Sequence, residues 1–114
     1  MDFYLVQDLD NALEDLTQAI LCDGNYFMAY FSRAVIRYKQ MEYKKAEKSF
    51  EENSKLRMAP KASDYDLIRR DLDKVIELAP DFVYAYYNRA NVSVAMNDYF
   101  TQILVSGNMI MSAN

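Results

Sequence analysis

The chain contains one stretch of sequence twice, and this constrains its fold more than any other feature. Residues 8–36 read DLDNALEDLTQAILCDGNYFMAYFSRAVI, and residues 64–92 read DYDLIRRDLDKVIELAPDFVYAYYNRANV. At an offset of 56, Asp8, Asp10, Asp15, Leu16, Ile20, Ala29, Tyr30, Arg33 and Ala34 recur as Asp64, Asp66, Asp71, Leu72, Ile76, Ala85, Tyr86, Arg89 and Ala90. Tyr26/Phe82, Phe31/Tyr87 and Ile36/Val92 are conservative matches in the same register. A repeated unit of this size cannot bury its apolar face alone, so it folds by stacking on its neighbour.

Each copy reads as a helix, a short break and a second helix. In the first, Leu9, Ala12, Leu13, Leu16, Ala19 and Ile20 keep the 3.6-residue period of an amphipathic helix. Asp8 or Asp10 is placed to cap its first turn, and Gly24 stands where a left-handed closing residue is usual. In the second, Leu67, Ile68, Leu72, Val75, Ile76 and Leu78 form the stripe, Asp64 opens the helix and Pro80 replaces Gly24. With only two Gly and two Pro in 114 residues, tight turns are few, which argues against an all-β fold. The sequence predicts an all-α fold of six helices, near 4–22, 27–40, 43–58, 64–79, 82–97 and 98–112.

The segment Ala29–Ala34 followed by Tyr38–Ala46 resembles a tetratricopeptide (TPR) unit. That motif has an aromatic, a small residue four later, a helix break, then a small residue and an aromatic spaced by four. Here these are Tyr30, Ala34, the Gln40–Tyr43 turn, Ala46 and Phe50, and in the second copy Tyr86, Ala90 and a turn at Asn97–Tyr99. The resemblance covers most of residues 8–99. It implies a right-handed superhelix of antiparallel helix hairpins in one domain. Residues 8–26 would be the closing helix of a truncated unit and 27–60 a full unit. Residues 61–81 would be an irregular insertion with a closing helix, and 82–114 a last, degenerate unit. The sequence departs from the family in its offset of 56 against ~34, about 22 extra residues around Lys55–Asp64. Gln102 and Ser106 also replace the small residue and aromatic expected after Tyr99. Solenoids usually need at least ~3 units for a continuous core, so the terminal helices are expected to be covered by a second copy or by further sequence.

In that family the first helix of each unit lines a concave groove. The resemblance therefore assigns Met28, Phe31, Ser32, Val35, Tyr38 and Lys39 to the groove from one unit. Tyr84, Tyr87, Asn88, Asn91, Val94 and Ala95 follow from the other. Such an apolar, aromatic face with a few amides suits a peptide or a helix, and Tyr brings large area with a polar tip. Phe31 and Val35 stand where a carboxylate clamp would need polar or basic side chains, so binding to a C-terminal carboxylate is disfavoured. Arg33 and Arg89 replace a leucine common in the family. Each follows an aspartate by 18 residues, which predicts structural salt bridges Asp15–Arg33 and Asp71–Arg89. For any single groove residue, ordinary core packing is the competing reading.

Charge and reactive groups bound the function further. The net charge is −4, with a local +5 between Arg33 and Lys61 and −9 over the rest. An acidic chain lacks the footprint for nucleic acid. The basic stretch reads as solvated helix faces with i,i+4 pairs, or as a middle repeat that meets an acidic partner or an acidic neighbouring repeat. Asp8-x-Asp10, Asp64-x-Asp66 and Asp71-x-Asp73 look superficially like metal-binding carboxylate pairs, but two of the three fall at expected helix starts. There is no histidine, no Gly-rich phosphate loop, and Cys22 has no base partner. No enzyme activity, cofactor or metal is expected. A single cysteine fits a reducing compartment such as the cytoplasm, and no stretch approaches the ~18 apolar residues of a membrane span. The expected role is a non-catalytic scaffold binding a protein or peptide. The alternative is a structural segment that self-associates as a homo-oligomer or packs within a longer array.

Overall fold

A computed structural model of the chain describes residues 3–50 and 61–111. Within them the protein is all-helical, with four helices: α1 (Phe3–Cys22), α2 (Phe27–Phe50), α3 (Ala62–Leu78) and α4 (Val83–Met111). Each helix packs on the next in sequence, α2 also touches α4, and α1 packs on α2 alone among the described residues. The result is elongated, with extents of 52 × 33 × 20 Å and a radius of gyration of 16.3 Å, against about 13 Å for a compact 100-residue domain.

Four helices stand where six were expected, because two of the expected turns are not made. The chain runs helically through Gln40–Tyr43 and again through Asn97–Tyr99. Neither stretch contains a breaker. Gln40, Met41, Glu42, Lys44 and Lys45 are good helix formers, and burial of Met41 at 3% exposure holds α2 through this point. In α4, Thr101 Oγ1 donates to the Asn97 carbonyl at 2.8 Å, a bond within the helix, while the Tyr99 ring packs 5.6 Å from Tyr65. The end expected for the 43–58 helix and most of the insertion around Lys55–Asp64 lie outside the described residues, as does residue 112 of the last expected helix.

The duplication is visible in the two connections. After α1, Asp23 N–H donates to Ala19 O (2.9 Å), Tyr26 N–H to Asp23 O (3.2 Å) and Ala29 N–H to Tyr26 O (3.2 Å). After α3, Ala79 donates to Val75 (2.7 Å), Phe82 to Ala79 (3.0 Å) and Ala85 to Phe82 (3.1 Å). These are the same three bonds shifted by 56. A tyrosine hydroxyl closes each turn: Tyr30 Oη donates to Gly24 O at 2.9 Å, and Tyr86 Oη to Pro80 O at 2.6 Å. Gly24 is therefore not the left-handed closing residue expected, and no described glycine has positive φ. The reason lies in its twin, since proline fixes φ near −65° and the two turns share one hydrogen-bond pattern.

The helix starts also differ from expectation. α1 begins at Phe3, so Asp8 and Asp10 lie inside it and do not cap it; Asp10 Oδ1 instead accepts from Gln40 Nε2 at 2.7 Å. Asp64 does act in the first turn of α3, where its Oδ2 accepts from Lys61 N–H at 2.9 Å. Ile68, Leu72 and Val75 of the expected stripe are buried, with Ala34, Met41, Tyr65, Val92 and Ala95 completing a core across α2, α3 and α4. Ile76 and Leu78 are half-buried, and Leu67 is 41% exposed at the edge of the stripe. The α1 stripe is only half-buried, since α1 has a neighbour on one side.

Two outcomes follow. Gly24→Ala raises stability by about 0.4–1 kcal/mol by narrowing the unfolded ensemble, since an added Cβ meets nothing nearer than 3.9 Å; a loss in urea melts would show that the turn needs glycine. Glu42→Pro costs about 3 kcal/mol or more if α2 is continuous, whereas a real turn at this point would accept proline with little change in midpoint.

Candidate partner-binding surface

α2 and the first half of α4 lie against α3 and against one another, so their exposed sides form one surface. Its floor is made by Ala34, Val35 and Tyr38 from α2, Ile68 and Leu72 from α3, and Asn88 and Val92 from α4, packed too tightly to admit a water molecule. Asn88 Nδ2 donates to the Tyr84 carbonyl at 2.8 Å, one turn back on α4. Met28 and Lys39 stand exposed on the α2 side. On the α4 side Tyr84 (61% exposed), Tyr87 and Asn91 reach solvent.

Of the residues assigned to the groove by sequence, the structure thus places six in the open: Met28, Lys39, Tyr84, Tyr87, Asn91 and Val94. Ala95 is buried in the core. Phe31, Ser32, Val35, Tyr38 and Asn88 are half-buried. Phe31 meets Phe82 edge-on at 5.0 Å, and Tyr38 packs against the core. Burial, reinforced by the charge of Glu42 one turn on, raises the Tyr38 phenol above its usual 10.0, so it stays protonated as a donor.

The ion pairs form in a different register from the one expected. Arg33 pairs with Asp71, not Asp15: its Nε donates to Oδ2 at 2.8 Å and its Nη2 to Oδ1 at 2.6 Å, a two-pronged grip from α2 to α3. Arg37 Nη1 adds a third bond to Oδ2 at 3.1 Å. Arg89 pairs with Asp73 at 3.0 Å, not with Asp71. The cause is geometric, since Asp71 is turned from α4 toward α2, where two guanidiniums meet it. The bond to Asp71 raises the Arg33 pKa against the opposing effect of burial. At Arg37 burial dominates and lowers it, with the neighbouring Arg33 charge adding to the decrease. Arg37 and Thr17, which accepts from Arg33 Nη1 at 3.4 Å, were not singled out from sequence, and Asp73 was named only as half of a superficial metal pair. Two signals point to them: Arg37 lies one turn from Arg33 on the same side of α2, and Thr17 and Asp73 are related by the offset of 56.

Five of the six aspartates in the metal-like pairs, all but Asp8, are shown with protein partners, Asp10 with Gln40 and Asp71 with Arg33 and Arg37 among them. Asp66 pairs with Arg69 and Arg70, Asp73 with Arg89, and Lys44 approaches Asp64 at 3.9 Å. No group of three His, Cys, Asp or Glu is placed to hold a metal among the described residues, and no described helix is long and apolar enough to cross a membrane. An open hollow of about 80 Å³ lies between Arg37, Gln40, Met41, Lys44, Asp64 and Leu67, well short of the roughly 300–1,000 Å³ that small-ligand sites occupy. The surface offers side chains for contact rather than a cavity for containment. No family model, curated protein or solved structure matches this chain.

Asp71→Ala leaves two guanidiniums unanswered beside the core and costs about 3 kcal/mol. Asp15→Ala, at the exposed twin position, changes stability by less than about 0.5 kcal/mol. Equal losses in denaturant titration would show that the carboxylates are interchangeable and the register described here is wrong.

Proposed function

We propose that this chain is a non-catalytic scaffold of the tetratricopeptide type, which holds a protein segment, a peptide or a helix, across the α2/α4 surface. In this reading each long helix joins the groove helix of a unit to the helix after it, and the hairpins stack as in a right-handed superhelix. The observation that carries the proposal is the exposure of Tyr84, Tyr87 and Asn91 on α4, and of Met28 and Lys39 on α2, on the helices that contribute to a filled floor. Large aromatics held on a rigid helix lose little rotamer entropy on contact, and the neighbouring amides supply hydrogen bonds. Among the described residues the floor of this surface is filled, which favours an extended partner over a small molecule. A scaffold of this kind needs no cofactor, and none enters the proposal.

A second reading is a structural segment that packs on other copies or on neighbouring repeats. It is favoured by the second half of α4, where Phe100, Ile103, Leu104 and Val105 are 43–61% exposed in close succession. Such a run on one helix is more than the scattered apolar exposure of an ordinary surface.

The first reading is tested by capturing binding proteins from lysate and measuring their affinity for a Tyr84→Ala/Asn91→Ala variant. Both residues are exposed, so the far-UV spectrum stays unchanged. Affinity falls by about tenfold or more if an aromatic anchor is lost. Retention of full affinity would move the binding site off this surface.

A further inference from the structure

α3 is the second copy of α1, and the start of α4 is the second copy of the start of α2. The surface by which α2 meets α3 therefore has two counterparts, one on the outer side of α4 and one on the outer side of α1. In the internal contact, the Phe82 ring sits edge-on to Phe27 at 5.2 Å and to Phe31 at 5.0 Å, while Arg33 forks onto Asp71. The counterparts of the aromatic and acidic groups are open to solvent. Tyr26, twin of Phe82, is 51% exposed; Val83 and Tyr87, twins of Phe27 and Phe31, are 66% and 68% exposed. Asp15, twin of Asp71, is exposed as well.

The charge on α4 is only half answered. Arg33 uses Nη1 for Thr17 on its own hairpin and reserves Nε and Nη2 for Asp71 across the stack. Arg89 repeats the first half of this arrangement, with Nη1 on Asp73, the twin of Thr17. Its Nε and Nη2 have no carboxylate partner among the described residues. A planar fork with one prong occupied and two free matches a carboxylate placed as Asp71 is placed for Arg33.

We propose that α4 of one copy binds α1 of a second copy of this chain, head to tail, in the register of the α2/α3 contact. Arg89 takes Asp15 of the second copy, and Tyr26 of that copy seats between Val83 and Tyr87. The occupant is a second copy because both halves of the contact lie on the same chain, and the acidic and aromatic groups recur on α1 at the spacing α3 uses. Two positions weaken the contact relative to its template. Ser93 stands where α2 has Arg37, and Asn97 where it has the buried Met41. The association is accordingly reversible and depends on concentration. The two surfaces differ, so the contact is heterologous and extends into chains or rings, not a two-fold dimer. This inference rests on the self-packing reading given above.

Sedimentation velocity across a concentration series tests it, with three variants beside the parent chain and far-UV spectra as the folding control. The parent forms species beyond the dimer as concentration rises. Arg89→Glu and Asp15→Arg each put like charges together and weaken association by at least about tenfold. An equimolar mixture of the two variants, or the double reversal in one chain, restores it. A parent chain that stays monomeric overturns both this contact and the self-packing reading. Association that persists unchanged in both single variants, or stops at a dimer, overturns this contact while leaving self-packing in place.

Discussion

One carboxylate sets how the two hairpins meet. Asp71 lies with its side chain only 6% exposed between α2 and α3, gripped by Arg33 from one turn and Arg37 from the next. Burying charge costs several kcal/mol per ion, so such a cluster survives only where the geometry is good and the lone pairs are used. Here three donors reach two oxygens. The apolar core supplies the bulk attraction, but Ile68, Leu72 and Met41 could pack in shifted registers. A forked bond cannot be shifted by a helical turn without being lost. Asp71 acts as the pin that fixes where α3 lies along α2, and through α3 where the exposed tyrosines of α4 stand.

The same arrangement places part of the uneven charge of the chain. Three cations of the basic stretch, Arg33, Arg37 and Lys44, meet Asp64 and Asp71 on the acidic start and middle of α3. Lys39 is left at the surface. The α2/α4 surface is consequently apolar and aromatic with little charge, a face that discriminates by shape and by a few amide hydrogen bonds.

The all-helical class and the helix–break–helix rhythm were legible from the periodicity and the duplication alone. The offset also located both turns, because equivalent positions of the two copies make the same local hydrogen bonds even where Pro80 replaces Gly24. What could not be read was anything decided by contacts between the copies. The pairing of Arg33 with Asp71 spans 38 residues, and no spacing rule distinguishes it from Asp15. The turns expected after Gln40 and at Asn97 came from a motif whose break needs local help. With no Gly or Pro at either place, tertiary packing of Met41 and Tyr99 carried the helices on. The groove assignments divide for a related reason: Tyr38 and Tyr84 look alike in sequence, and only the position of α3 makes one a wall and the other a surface.

Because each helix rests almost entirely on its sequence neighbours, most contacts join residues close along the chain. Topologies of low contact order need little loop closure before packing begins, so they fold rapidly from local nuclei. Stability in such a stack is passed along as in a row of coupled units, and it is lowest where a unit has one neighbour instead of two. α1 holds that position, with its half-buried stripe resting on α2 alone among the described residues. A local opening of α1 would leave the Asp71 cluster and the α2–α4 core intact. The chain thus behaves as a firm three-helix centre with a detachable edge.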